Sequence, residues 1–193
     1  MNLATSYLLA GLPNVKIMDA LYFVAAYEFG LSIGIPIVVL TRVVYASANP
    51  WGPASSLLIA FLVLGDMSYV VAGHVVRRFS SVDKKPEFFQ RTILLGLVGL
   101  FSAFLFDLIT NFATGLLIVS PGKNLIDYFT KAWLFGLITM NFPLPLGIIH
   151  EVTDFIFFVT VVPTTITLLK RSGIMSYRLS QGLITRRADS FAK

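Results

Sequence analysis

Long apolar runs constrain what this chain can fold into more than any other feature of its sequence. A helix needs roughly 20 apolar residues to cross a hydrocarbon core of about 30 Å, and several stretches reach or approach that length. Only 13% of the residues are charged and the mean hydropathy is +0.80, whereas about one quarter of the residues of soluble domains are charged. The sequence therefore predicts an all-α, polytopic membrane bundle.

Turn residues divide these apolar runs into about five spanning helices. Residues 17–46 are too long for one span, and Gly30, Gly34 and Pro36 interrupt them, which predicts a turn at 29–31. The predicted spans are residues 16–29, 31–47, 54–76, 92–119 and 146–169. Residues 1–12 are too short to cross a bilayer, so we interpret them as the end of a truncated first helix.

The distribution of basic residues predicts the orientation of the chain. Eleven of its 15 Lys and Arg residues fall in the polar segments 77–91 and 170–193, the pattern of cytoplasmic loops and not of a nucleic-acid-binding face. With loop 77–91 and tail 171–193 both cytoplasmic, an even number of crossings must separate them. Residues 125–142 are then predicted not to cross, within an outer loop 120–144 of a single domain, 1–193, in the cell membrane.

Several classes of chemistry are missing from the sequence. The chain has no cysteine, which excludes disulfides and thiolate metal sites. It contains no Walker motif, no G-x-S-x-G and no dinucleotide fingerprint, and its N-terminus makes a poor signal peptide. We therefore expect no enzymatic activity, no cofactor and no bound metal, and we expect a partner to supply any energy that the protein uses.

The predicted span 92–119 carries a stripe of small and polar residues on one helical face. Gly96, Gly99 and Ala103 allow a neighbouring backbone to approach closely, which drives helix association in lipid. Asp107 and Asn111 follow on the same face. They are interpreted either as a polar clamp between helices or as ligand contacts, and ligand contact is favoured for Asn111.

The segment HEVTD places three ionisable residues at the start of the last predicted span. His150 and Asp154 share a helical face at i and i+4, and Glu151 points about 100° away. A zinc hydrolase would need a third protein ligand, and the only other histidine is His74, on the opposite side of the predicted membrane. The alternatives are a helix end wetted by lipid headgroups and a polar patch that contacts a solute.

Other polar and aromatic residues in the apolar segments also have two interpretations. Arg42 either snorkels to the interface or pairs with a ligand anion or an acid of the chain. Asp66 lies midway along its span, where it needs a partner or a proton, and a helix-packing role is favoured. Trp51 and Trp133 are interpreted as an aromatic belt or as a stacking surface for a solute with a ring.

Three segments together resemble the substrate-binding S components of energy-coupling factor (ECF) transporters, which are small six-helix membrane proteins. LPNVKIMDALYFVAAYEFGLSIGIPIVVL (12–40) is similar to the outer loop, second helix and turn into the third. NPWGPASSLLIAFLVLGDMSYVVAG (49–73) is similar to the turn before the fourth helix and that helix. FDLITNFATGLL and FPLPLGIIHEVTDFIFFVTVVP resemble the end of the fifth helix and the sixth.

This resemblance implies a subunit that binds a vitamin or similar small metabolite and passes it to a transmembrane coupling subunit and ATPase subunits. The substrate would be held near the outer face by a set of residues that includes the first loop and the last helix. That set is Asn14, Arg42, Trp51, Asp107, Asn111, Trp133, His150 and Asp154. Partner packing is expected at Gly30, Gly34, Gly96, Gly99 and Ala103. The alternatives are an intramembrane zinc hydrolase built on His150, Glu151 and Asp154, and a membrane scaffold subunit.

Overall fold

The protein is helical throughout the part of the chain that its computed structural model describes, which is residues 2–12, 14–50, 52–79, 88–122, 124–141 and 146–172. The helices are α1 (Asn2–Leu8), α2 (Ile17–Phe29), α3 (Leu31–Ser47), α4 (Ser56–Phe79), α5 (Phe88–Ile118), α6 (Leu125–Asn141) and α7 (Leu146–Arg171). The predicted all-α fold class is confirmed over these residues. Most of the predicted polar loop 77–91 and tail 171–193 lies outside them.

A glycine turn separates α2 from α3, as the sequence predicts. Gly30 has φ +80°, a backbone conformation that only glycine adopts at no steric cost. Its N–H donates to the carbonyl of Ala26, and the N–H of Gly34 donates back to the carbonyl of Gly30, each at 2.9 Å. A Cβ at Gly34 would lie 3.0 Å from the Ala26 Cβ, so the missing side chain lets the two helices fold back closely on each other.

Helix α2 is the centre of the bundle. Eleven of its 13 residues are buried, and it packs against α1, α3, α4 and α7. At 1.5 Å per residue it is about 20 Å long, which is shorter than a bilayer core. Its own apolar side chains, among them Tyr22 and Phe23, form the core with Tyr69 and Phe158 from α4 and α7.

Small residues bring α5 close to α7. A Cβ on Gly96 would lie 2.6 Å from a ring atom of Phe155, and one on Gly99 would lie 2.5 Å from Phe158. Ala103, further along the same stripe, is also fully buried. These residues pack within the chain, and the expectation that they meet another subunit stays a prediction. Further along α5, Gly115 meets the backbone of Ala132 on α6.

Three of the described helices are long and apolar enough to cross a membrane: Ser56–Phe79, Thr92–Ile118 and Gly147–Arg171. Helix α3 is also apolar but is shorter than these three helices, at 17 residues. It exposes a row of large apolar side chains, including Ile33, Leu40 and Val44, which suits a lipid-facing surface. The count of five spans and the orientation of the chain stay predictions, as does the placement of α6 on the outer side without crossing.

Candidate functional site: a buried polar cluster beneath a cleft

Six polar residues from five helices meet inside the bundle, and we call them the buried polar cluster. They are Asp19 of α2, Arg42 of α3, Asp66 of α4, Asp107 of α5, and His150 and Asp154 of α7. Each of these residues is at most 4% exposed. Charges buried to this extent are expensive unless they are paired or bind a cation, so the arrangement of the partners decides what the cluster can do.

Arg42 and Asp66 form a two-pronged ion pair across α3 and α4. Nε of Arg42 lies 2.5 Å from Oδ2 of Asp66, and Nη2 lies 2.5 Å from Oδ1. The planar guanidinium matches a carboxylate in this geometry. Arg42 therefore does not snorkel to an interface, since it is buried and bound to an acid of its own chain. Asp66, which lies midway along its helix, has Arg42 as the partner that a buried carboxylate needs. Nη2 also lies 3.9 Å from Oδ1 of Asp19.

The imidazole of His150 lies between three carboxylates. Its Nδ1 is 2.9 Å from Oδ1 of Asp107, and its Nε2 is 3.0 Å from Oδ2 of Asp19. Oδ2 of Asp154 lies 3.8 Å from the same Nε2, and the hydroxyl of Tyr69 lies 3.5 Å from it. His150 is fully buried, so it is not a helix end wetted by lipid headgroups.

The carboxylates of the cluster have more acceptor oxygens than the described residues have donors for them. Both oxygens of Asp154 are buried and have no hydrogen-bond partner among those residues, and the same holds for Oδ1 of Asp19 and Oδ2 of Asp107. Donor atoms of Asp19, His150 and Asp154 lie within 4.8 Å of one another, close enough to hold a metal ion. Glu151 is not part of this group.

A cleft of about 620 Å³ adjoins the cluster. It lies between the 9–16 segment, the end of α3 and the turn before α4, which is held in place by a hydrogen bond from the N–H of Ala54 to the carbonyl of Ala46 at 3.0 Å. Its polar lining comes from Ser6, Asn14, Lys16, Arg42, Tyr45 and Asn49. The ammonium of Lys16 lies 4.4 Å from the centre of the Phe106 ring, and the Arg42 guanidinium lies 5.4 Å from the same ring.

The structure places five of the predicted substrate residues in two neighbouring groups. Asn14 and Arg42 line the cleft, whereas Asp107, His150 and Asp154 belong to the buried polar cluster behind it. Asn111 donates to the backbone carbonyl of Asp107 at 2.8 Å.

The tryptophans lie apart from both groups. Trp133 of α6 is 40% exposed and stacks on Phe112 with ring centres 4.5 Å apart. Trp51 is outside the described residues. Trp133 thus lies on the α5–α6 face, away from the residues that line the cleft.

Sequence reasoning missed Asp19 and Lys16. Asp19 is the acid that joins the two halves of the cluster, through Arg42 on one side and His150 on the other. A signal was present, because a carboxylate three residues into an apolar predicted span is as unusual as Asp66 or Asp107. Lys16 lies directly before α2 and is the first residue of the predicted span 16–29, where a cation at the end of a helix is ordinary.

Comparisons of this chain with protein-family models, with curated proteins and with solved structures give no match.

Proposed function

We propose that this protein is a membrane-embedded solute-binding subunit of the ECF S-component type. It takes up a vitamin or similar small metabolite with a transmembrane coupling subunit and ATPase subunits, and it carries out no covalent chemistry itself. The observation that supports this proposal is the cleft of about 620 Å³ beside the buried polar cluster. Its volume lies within the range of about 300–1,000 Å³ that is usual for small-molecule sites.

The chemistry of the lining suggests what kind of solute fits. Leu9, Val15 and Leu58 supply apolar surface beside the hydroxyl and amide groups, so a solute with an apolar portion is favoured. Two cations line the cleft, but Arg42 already binds Asp66 in a two-pronged pair. Lys16 is therefore the cation that a solute can engage, and a carboxylate or phosphate on the solute is its natural counterpart.

The length and apolar composition of the helices support the part of the proposal that places the protein in a membrane. Three helices have the length and hydropathy of spans, and their apolar side chains are exposed on the outside of the bundle. The proposal places the protein in the cell membrane as a multi-pass subunit in contact with lipid. Loop 77–91 and the C-terminus are on the cytoplasmic side, following the distribution of Lys and Arg.

Lys16→Met should weaken binding of the co-purifying solute at least tenfold, because the side chain keeps its length and loses its charge. The measurement is the amount of solute retained by the purified variant, or its Kd once the solute is named. Lys131→Met is the matched control, since Lys131 pairs with Asp127 on the exposed face of α6 and does not line the cleft. Equal losses in both variants, or none in either, would contradict the assignment of the cleft.

The class of the protein is tested by purifying the tagged chain from its own host in a gentle detergent and identifying co-purifying proteins and small molecules by mass spectrometry. An ATPase pair with a helical membrane subunit supports the proposal, and an enriched metabolite names the substrate. A partner set without an ATPase, and no small molecule, favours a scaffold subunit. A zinc hydrolase with Glu151 as base predicts hydrolytic activity that Glu151→Gln abolishes.

A further inference from the structure

The strongest unexplained feature outside the cleft is the excess of carboxylate oxygens around His150. Asp19, His150 and Asp154 are all 0% exposed, and neither oxygen of Asp154 accepts a hydrogen bond of good geometry from the described residues, although the Tyr69 hydroxyl lies near it. A carboxylate fully removed from water in this state is destabilising by several kcal/mol. A cation bound between these groups would remove that cost.

We propose that Asp19, His150 and Asp154 form a binding site for a divalent metal ion of the zinc class, with Asp107 holding the imidazole in the orientation that the metal needs. The site lies behind the cleft and ties α2 to α7. This inference does not rest on the proposed transport function, because it follows from the geometry of the cluster alone.

The distances between the donor atoms suit such an ion. Nε2 of His150 lies 3.0 Å from Oδ2 of Asp19 and 3.8 Å from Oδ2 of Asp154. Ligands at 2.0–2.2 Å from a tetrahedral zinc lie roughly 3.3–3.6 Å from one another, and the two observed distances bracket that range. All three donors lie within 4.8 Å of one another, so small side-chain movements bring them onto one ion.

The contacts of His150 are compatible with a metal ligand. With the imidazole proton at Nδ1, Asp107 accepts that N–H at 2.9 Å, and such a carboxylate–histidine contact orients metal-binding imidazoles. In this tautomer Nε2 presents a lone pair towards Asp19 and Asp154, whose carboxylates accept when they are ionised. Three acceptors that face one another are stabilised by a cation between them. A doubly protonated imidazole would give its second N–H to Asp19, and Asp154 would then have the Tyr69 hydroxyl as its nearby donor.

Charge balance favours a divalent ion. The cluster contains four aspartates, and Arg42 is its own cation. With the aspartates ionised and His150 neutral, three negative charges are left, and a divalent ion balances two of them. Lys16 beside the cluster faces the third when no anionic solute holds it. The imidazole ligand favours zinc or its transition-metal neighbours over Mg²⁺, which prefers oxygen ligands and usually keeps several waters.

The site differs from the zinc hydrolase considered from the sequence. The third ligand is Asp19, 131 residues away from His150 in the chain, and Glu151 lies outside the group. The ligands are buried on all sides and come from the central helix and the last helix. The ion would therefore act as a clamp between α2 and α7, next to the wall of the cleft that Lys16, Met18 and Arg42 form.

The test is metal binding by the full chain, purified in detergent, stripped with a chelator and titrated with Zn²⁺, with Co²⁺ as a spectroscopic probe. We expect one equivalent of Zn²⁺ per chain, a rise in the melting temperature when it binds, and visible Co²⁺ absorption bands when Co²⁺ takes its place. Asp154→Asn should weaken Zn²⁺ binding at least about 100-fold, and Asp107→Asn about 10- to 100-fold. Asp127→Asn, an exposed carboxylate on α6, should leave it unchanged.

A separate readout covers the folding of the variant. Asp154→Asn removes a buried carboxylate without a partner, so in the presence of chelator it should melt at the same temperature as the parent chain or higher. Less than about 0.1 equivalent of Zn²⁺ on the parent chain, or equal affinity in Asp154→Asn, overturns the proposal. An Asp154→Asn variant that loses metal binding but keeps the solute and the ATPase partners supports the metal site and shows that it is independent of the proposed transport function.

Discussion

Replacing Arg42 with methionine should lower the free energy of unfolding by about 3–5 kcal/mol, because it leaves the buried carboxylate of Asp66 without its partner. The guanidinium makes two contacts of 2.5 Å with that carboxylate, and both side chains are almost completely enclosed. Methionine fills a similar volume, so the loss reports the missing charge more than a cavity. The measurement is thermal or denaturant unfolding of the variant in detergent, at a fixed protein and detergent concentration.

Two further variants separate the ion pair from general disruption. Arg42→Met combined with Asp66→Leu should regain most of the lost stability, since an apolar pair of similar volume is often as stable as a buried ion pair. Lys131→Met breaks an ion pair of 2.8 Å that is 49% and 36% exposed, and such pairs contribute at most about 1 kcal/mol. A single Arg42→Met variant no less stable than Lys131→Met would show that Asp66 is not charged in the folded protein.

Gly99→Leu should destabilise the protein by about 3 kcal/mol or more, at the upper end of what overpacking a core costs. Its Cβ alone would lie 2.5 Å from Cγ of Phe158 and 2.9 Å from the backbone carbonyl oxygen of Asp154. The Phe158 ring belongs to the core, and the carbonyl oxygen cannot move without a shift of α7. We expect a lower yield of monomeric protein and a lower melting temperature, together with weaker metal binding, because Asp154 moves with its backbone.

Smaller changes provide the comparison for Gly99. Gly99→Ala places only the clashing Cβ and should be intermediate between the parent chain and Gly99→Leu. At Gly11 a Cβ would meet nothing within 4 Å, so Gly11→Ala should change the free energy of unfolding by no more than about 0.5 kcal/mol. A Gly99→Leu variant with the stability of the parent chain would mean that α5 and α7 are further apart than the structure has them.

Much of the helix arrangement could be predicted from the sequence, because it depends on local patterns. The turn between α2 and α3 follows from a glycine in a run too long for one span, and it is confirmed at Gly30. A stripe of small residues on α5 predicts the close approach of some neighbouring helix, and the structure identifies that helix as α7 at Gly96 and Gly99. The number of crossings is harder to predict, because α2 and α3 are short and the length rule alone does not decide them.

The candidate site could be predicted only in part. Ionisable residues in apolar segments are conspicuous one at a time, and Arg42, Asp66, His150 and Asp154 could all be found in this way. Which of them pair is a tertiary property: Arg42 and Asp66 are 24 residues apart, and His150 and Asp107 are 43 apart. No spacing rule within one helix relates such residues. Asp19 could have been found by the same criterion, but its role depends on α2 lying at the centre of the bundle.

The central position of Asp19 has a consequence for how the chain is made. Its partner His150 follows 131 residues later, and ribosomes add about 5–20 residues per second, so roughly 7–26 s pass before the imidazole is even synthesised. During that interval Arg42, made only 23 residues after Asp19, is the charged neighbour available to the α2 carboxylate. The packing around Asp19 is thus completed only when α7 has been made, so the central helix is among the first to be synthesised and the last to receive all of its partners.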